Sequence, residues 1–94
     1  MIEIDDLEID EDTNGTEMAR HGVSEARALS VLEGKPRVFP NRRGRSATHI
    51  LIGPDSSGII LSIPIVPTHV YKRWRPVTAW ESGATDIARW RKVK

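Results

Sequence analysis

Two runs rich in β-branched residues constrain this chain most: Ser46 to Gly53 (S-A-T-H-I-L-I-G) and Gly58 to Val66 (G-I-I-L-S-I-P-I-V), joined by Pro54-Asp55-Ser56-Ser57-Gly58. Ile, Val and Thr suit a pleated, half-buried surface, and a connection this short and rich in turn residues sends the second strand back antiparallel to the first. A hairpin is therefore expected, and the rest of the chain has to cover or extend it. Pro64 has no N–H to give a ladder, so that part of the second strand should face an edge or a bulge.

The flanks read as follows. Met1 to Asp12 alternates Ile and Leu with acids at a strand period, so the expectation is an acidic strand at an edge or beside a basic neighbour. Glu17 to His21 reads as a short helix stopped by Gly22. A second helix from Glu25 to Glu33 has Ser24 as its cap, Ala28, Leu29 and Leu32 as its buried stripe, and Gly34 at its close. Arg37-Val38-Phe39-Pro40 suggests a short edge strand, and Asn41 to Arg45 a turn. A last helix, capped by Ser82 or Thr85, runs to about Lys92 with Ile87 and Trp90 inward.

Between the hairpin and that helix lies Tyr71 to Glu81, Y-K-R-W-R-P-V-T-A-W-E, where rings alternate with cations. As one continuous strand it places Lys72, Trp74, Pro76, Thr78 and Trp80 on one face, and Tyr71, Arg73, Arg75, Val77 and Ala79 on the other. Such a face suits either a phosphate-bearing, base-stacking ligand or an ordinary wet sheet surface with Arg lying over Trp. The element order is β-α-α-β-β-β-β-α. That predicts an α+β fold: an antiparallel sheet of four to five strands, with two short N-terminal helices and one C-terminal helix covering one side.

The length of 94 residues allows a single domain, residues 1–94, with one modest core. Charge divides it. Residues 1–17 carry eight of the thirteen acids and no Lys or Arg, whereas residues 18–94 carry 14 basic against 5 acidic side chains, a net of +9. The basic body is a footprint for polyanions, nucleic acid being the commonest, and the acidic strand or tail either folds back on it or remains solvated. The absence of cysteine excludes disulfides, thiolate metal sites and a cysteine nucleophile, and fits a cytoplasmic location. No signal peptide or membrane span is expected, and no metal-ligand spacing or nucleotide-binding glycine motif suggests a cofactor.

What remains is cations with histidines. Cleaving RNA through its 2′-hydroxyl needs a base, positive charge on the phosphate as it gains a fifth oxygen, and an acid for the leaving 5′-oxygen. His21 and His49 are candidates for proton transfer, and Arg42, Arg43, Arg45, Arg73 and Arg75 for phosphate contact. Each has a plainer role: His21 ends a helix, His49 bonds within a sheet, and the arginines are solvated turn or strand residues.

The run Arg20-His21-Gly22-Val23-Ser24, the following helix ending in Val31-Leu32, the basic strand, the strand ending at Gly53 and Arg75-x-x-Thr78-Ala79 before a final helix resemble the BrnT-like toxins. These are compact relatives of the RelE ribonuclease toxins of type II toxin–antitoxin systems. The resemblance covers about His21 to Trp90. It implies a cofactor-independent RNA endonuclease that inhibits translation, held by a small cognate antitoxin for which a ribbon-helix-helix protein is a candidate. By position it assigns catalytic roles to His21 and Arg75, with Arg43 or Arg45 supplying the cation of the preceding basic strand; Arg20 stands where a Lys is usual. The chain departs from the pattern in its acidic opening repeat, in Trp80 where an Arg is common, and in Trp90 where a Tyr is common. The expected site is thus His21 or His49 for proton transfer, with Arg43, Arg45 and Arg75 clamping phosphate. Arg20, Arg42, Arg73, Trp74 and Trp80 would bind nucleic acid. Two other readings stay open: a non-catalytic nucleic-acid-binding or regulatory module, and an interaction domain in which acidic heads pair with basic bodies between chains.

Overall fold

A computed structural model describes residues 2–92; Met1, where the expected opening strand begins, lies outside them. The elements are β1 (Asp6–Leu7), α1 (Asn14–Arg20), α2 (Glu25–Ser30) followed by a 3-10 turn (Val31–Glu33), β2 (Arg37–Pro40), β3 (His49–Pro54), β4 (Ile60–Pro67), β5 (Arg73–Pro76), β6 (Trp80–Glu81) and α3 (Ala84–Arg91). The class is α+β, and the hairpin is β3 with β4, from His49 opposite Ile65 to Pro54 opposite Ile60.

The sheet differs from the expected one. It has six strands in the order β1-β5-β4-β3-β2, with β6 also on β4, and it is mixed because β1 lies parallel to β5. The acidic segment supplies a strand of only two residues, since Asp6 and Leu7 alone find partners, Arg73 and Trp74. Asp5 N–H donates to the Lys72 carbonyl and Glu8 N–H to the Trp74 carbonyl, which extends the contact at both ends.

The Tyr71 to Glu81 segment is likewise not one strand. On β4 the step from Ile65 to Ser62 covers three residues, whereas their partners Pro76 and Trp80 are four apart. The extra residue is a bulge in Val77–Ala79, opened where Pro64 has no N–H; its carbonyl instead accepts from Val77 N–H at 2.8 Å. Because the side-chain period is two, one extra residue exchanges the faces beyond it. Trp80 therefore leaves the face of Trp74 and joins that of Ser62, Arg73 and Arg75, while Ala79, expected beside those arginines, turns into the core and is fully buried.

Helices cover both faces, not one. Leu7, Leu51, Leu61, Ile63 and Ile65 pack with Met18, Val23, Ala28 and Val31 from the α1 and α2 side. The opposite face carries Phe39, Ile52 and Ser62, and α3 lies on it: Ser62 donates to Asp86, and Arg37 donates to the Trp90 carbonyl at 3.1 Å.

Local chemistry sets the helix ends. Ser24 caps α2 as expected, its Oγ accepting from Arg27 N–H at 3.1 Å. Leu29 and Leu32 are only half-buried, and Val31 takes the core position instead because the chain tightens into a 3-10 turn. The α1 helix starts earlier than its sequence suggests because buried Asn14 ties it down, accepting from Asp10 N–H at 2.7 Å and donating to the carbonyls of Glu8 and Pro76. Neither Ser82 nor Thr85 caps α3. Gly83 occupies that position, and the Ser82 hydroxyl is engaged by Ser62 at 2.6 Å.

One contact makes a test of packing. A Cβ on Gly53 would sit 2.8 Å from Pro36 Cα and Cβ, and 3.3 Å from Val31 Cγ1. Gly53→Ala is expected to destabilise the fold by about 1–3 kcal/mol, as overpacking does in a closed core. Urea unfolding measures it, and an unchanged midpoint would mean that the Pro36 segment yields.

Candidate nucleic-acid interface

The basic turn between β2 and β3 is held by its own backbone and by Asn41. Asn41 Nδ2 donates to the Ala47 carbonyl at 3.0 Å, its Oδ1 accepts from Arg42 N–H at 2.9 Å, and Gly44 takes φ +81°. Only Gly adopts that conformation without cost, so the turn is sharp and Arg42, Arg43 and Arg45 remain exposed on it.

Below the turn a cleft of about 770 Å³ runs between β4, the bulge and α3. Arg42 and Arg45 line one side, Asp86 and Arg89 of α3 the other, and Trp80 forms part of the wall. Arg89 is braced by its guanidinium carbon 4.5 Å from the centre of the Phe39 ring. Asp86 is braced by Ser62, whose Oγ donates to Oδ2 at 2.8 Å, and Arg89 Nη1 lies 3.6 Å from Oδ1. Three guanidinium groups against one carboxylate leave the cleft positive. Thr78 also lines it, and its Oγ1 is buried without a hydrogen-bond partner among the described residues.

The other candidates lie elsewhere. Arg73 Nε is 3.0 Å from Asp6, and Arg75 is 3.4 Å from Glu8 and donates to Thr13 at 2.9 Å. Lys72 meets Glu3 at 3.3 Å, and that carboxylate raises the lysine above its ordinary value. The acidic head thus folds back on β5 and takes up its cations within the chain. Arg20 and His21 share Glu17, at 3.3 and 3.4 Å. His49 sits at the start of β3 with Nδ1 2.9 Å from the Thr48 hydroxyl, and its ring meets Trp74 edge-on at 5.3 Å. Trp74 itself packs on the core. Neither histidine lines the arginine cleft.

The fold therefore brings together Arg42, Arg45 and Trp80 and leaves His21, His49, Arg20, Arg43, Arg73, Arg75 and Trp74 outside. Sequence reasoning missed both Asp86 and Arg89 as cleft residues. Their spacing of three on a helix, which puts them on one face, is the signal that joins them. Among the described residues, no three His, Cys, Asp or Glu side chains gather as a metal site, and no helix is long and apolar enough to cross a membrane.

Neither protein-family models nor curated proteins match this chain.

Proposed function

We propose that this chain acts on RNA as the toxin of a type II toxin–antitoxin pair, a metal-independent endonuclease of RelE and BrnT type that engages RNA phosphate in the arginine cleft. The observation that carries RNA contact is the convergence of Arg42, Arg45 and Arg89 with Trp80 from three separate elements. Guanidinium groups fork onto phosphate oxygens and stabilise the charge that builds as the 2′-oxygen attacks, and an indole gives an unpaired base a surface to stack on. The endonuclease part rests on the family resemblance.

A specific observation favours a second reading, RNA binding without cutting: no histidine lines the cleft, and Arg75 is already held by Glu8 and Thr13. One experiment separates them. Purified protein is incubated with a long single-stranded RNA in EDTA, with and without ribosomes, wild type beside Arg42→Ala/Arg45→Ala. Cutting that survives EDTA and vanishes in the variant supports the endonuclease. Binding without cutting supports the second reading, and its salt slope should flatten in the variant by about 1.4, the share of two single-strand phosphate contacts. If RNA is neither bound nor cut, both readings fall.

A further inference from the structure

Asp86 is out of place in a cleft that attracts phosphate. Its side chain is 20% exposed, and among the described residues it is the one carboxylate lining the cleft. A carboxylate facing a phosphate site repels the ligand unless it has a donor to receive. The bonds it already makes leave capacity unused. Ser62 has one hydroxyl proton and gives it to Oδ2 at 2.8 Å, so Ser82, 2.6 Å from Ser62, donates in turn to Ser62. Among the described residues Oδ1 has only the Arg89 Nη1 contact at 3.6 Å, too long for a hydrogen bond. The carboxylate is thus oriented by a neutral pair of hydroxyls, Ser62 buried and Ser82 partly buried, and keeps free lone pairs in the cleft.

From this geometry we infer that the cleft holds a base-reading subsite for guanine, with Asp86 accepting from the base and Trp80 stacking on it. The inference rests on the RNA reading above. The chemistry selects one base. Guanine presents N1–H and an N2 amino group side by side, two donors that match the two oxygens of a carboxylate. Adenine and cytosine each offer one amino donor next to a ring nitrogen acceptor, which faces the carboxylate unfavourably. Uracil offers one N–H between two carbonyls. The guanine O6 acceptor is then served by a cation, and Arg42, Arg45 and Arg89 line the same cleft. Base recognition of this kind, on the Watson–Crick edge with an aromatic on the base face, is the usual way proteins read single-stranded RNA.

The test is a binding series with GMP, AMP, CMP and UMP by calorimetry, on wild type and Asp86→Asn, beside a guanine-free and a guanine-containing RNA oligonucleotide. Expected is GMP binding about tenfold or more tighter than the other three, in line with a good bidentate contact, and a preference lost in D86N while oligonucleotide binding persists. Asn keeps the shape of Asp and an acceptor for Ser62, and a melting curve establishes that the variant is folded. The wild-type series alone is decisive if the variant is not. Equal binding of the four nucleotides, a preference for CMP, or a guanine preference that survives in folded D86N overturns the subsite. If the oligonucleotides still bind through Arg42 and Arg45 in those cases, the RNA reading stands. If neither nucleotides nor RNA bind, both fall.

Discussion

Replacing Asp55 by Ala is expected to lower folding stability by about 3 kcal/mol, the low end of what breaking a buried ion pair costs. For a domain of this size that is a drop in melting temperature of about 15 °C. The Asp55 side chain is 1% exposed, and its Oδ1 accepts from Ser57 and Ile59 N–H at 2.8 and 3.0 Å while Oδ2 accepts from Arg27 Nε at 2.9 Å. Arg27 also donates to the Gly22 carbonyl at 2.7 Å and meets Glu81 at 3.2 Å. One carboxylate therefore links the hairpin turn to α2 and, through Arg27, to β6. The cost stays at the low end because Arg27 is 26% exposed and keeps Glu81.

The same group sets a pH dependence. Burial pushes the Asp55 carboxyl up, but the Arg27 guanidinium and the Ile59 and Ser57 amides together outweigh it, so it ends below its ordinary value. A carboxyl depressed on folding contributes stability that is complete above its unfolded value of about 3.9 and is lost as pH falls through the folded one. Urea unfolding at pH 7 and through pH 5 to 2 should show wild type losing this increment below about pH 4, with Asp55→Asn lacking that part of the decline. A loss under about 1 kcal/mol for Asp55→Ala at pH 7 would show that the pair contributes no more than a surface contact.

Neutralising the acidic head should act on binding more than on stability. In Glu3→Gln/Asp6→Asn/Glu8→Gln, the partners of Lys72, Arg73 and Arg75 lose their charge. The pairs are partly exposed, those of Arg73 and Arg75 each contributing about 0–1 kcal/mol, and Leu7, buried at 4%, still anchors the segment. RNA affinity should rise, and the slope of log affinity against log salt should steepen by about 2, the share of three freed cations on a single strand. Filter binding across a salt series reads both. An unchanged slope would mean that the β5 cations do not reach RNA even when released.

How much of this was legible depends on how far apart the partners lie. The β3 and β4 hairpin follows from composition and a short turn, and the Ser24 cap from a residue and the amide three positions on. Charge segregation pointed to the head meeting the body, yet left open whether it would fold back. Which cations it takes became visible only through the β1 and β5 register. Pro64 pointed to an edge or a bulge, but which partner strand would carry the extra residue was beyond reach, because a residue is extra only when counted against β4, and its effect on Trp80 follows from that count. The cleft joins Arg42, Trp80 and Asp86 from three elements, and the Ser62 bond to Asp86 spans 24 positions, so no local pattern announces it.

The parallel pairing of β1 with β5 also has a consequence for the order in which the chain is made. Asp6 leaves the ribosome 67 residues ahead of its partner Arg73, and no part of that ladder can close until β5 has emerged. Closing so long a loop is slow compared with forming the β3 and β4 hairpin, so the head is expected to dock late, onto a sheet already built. Arg73 and Arg75 consequently enter solution with their counter-charges already waiting on the same nascent chain.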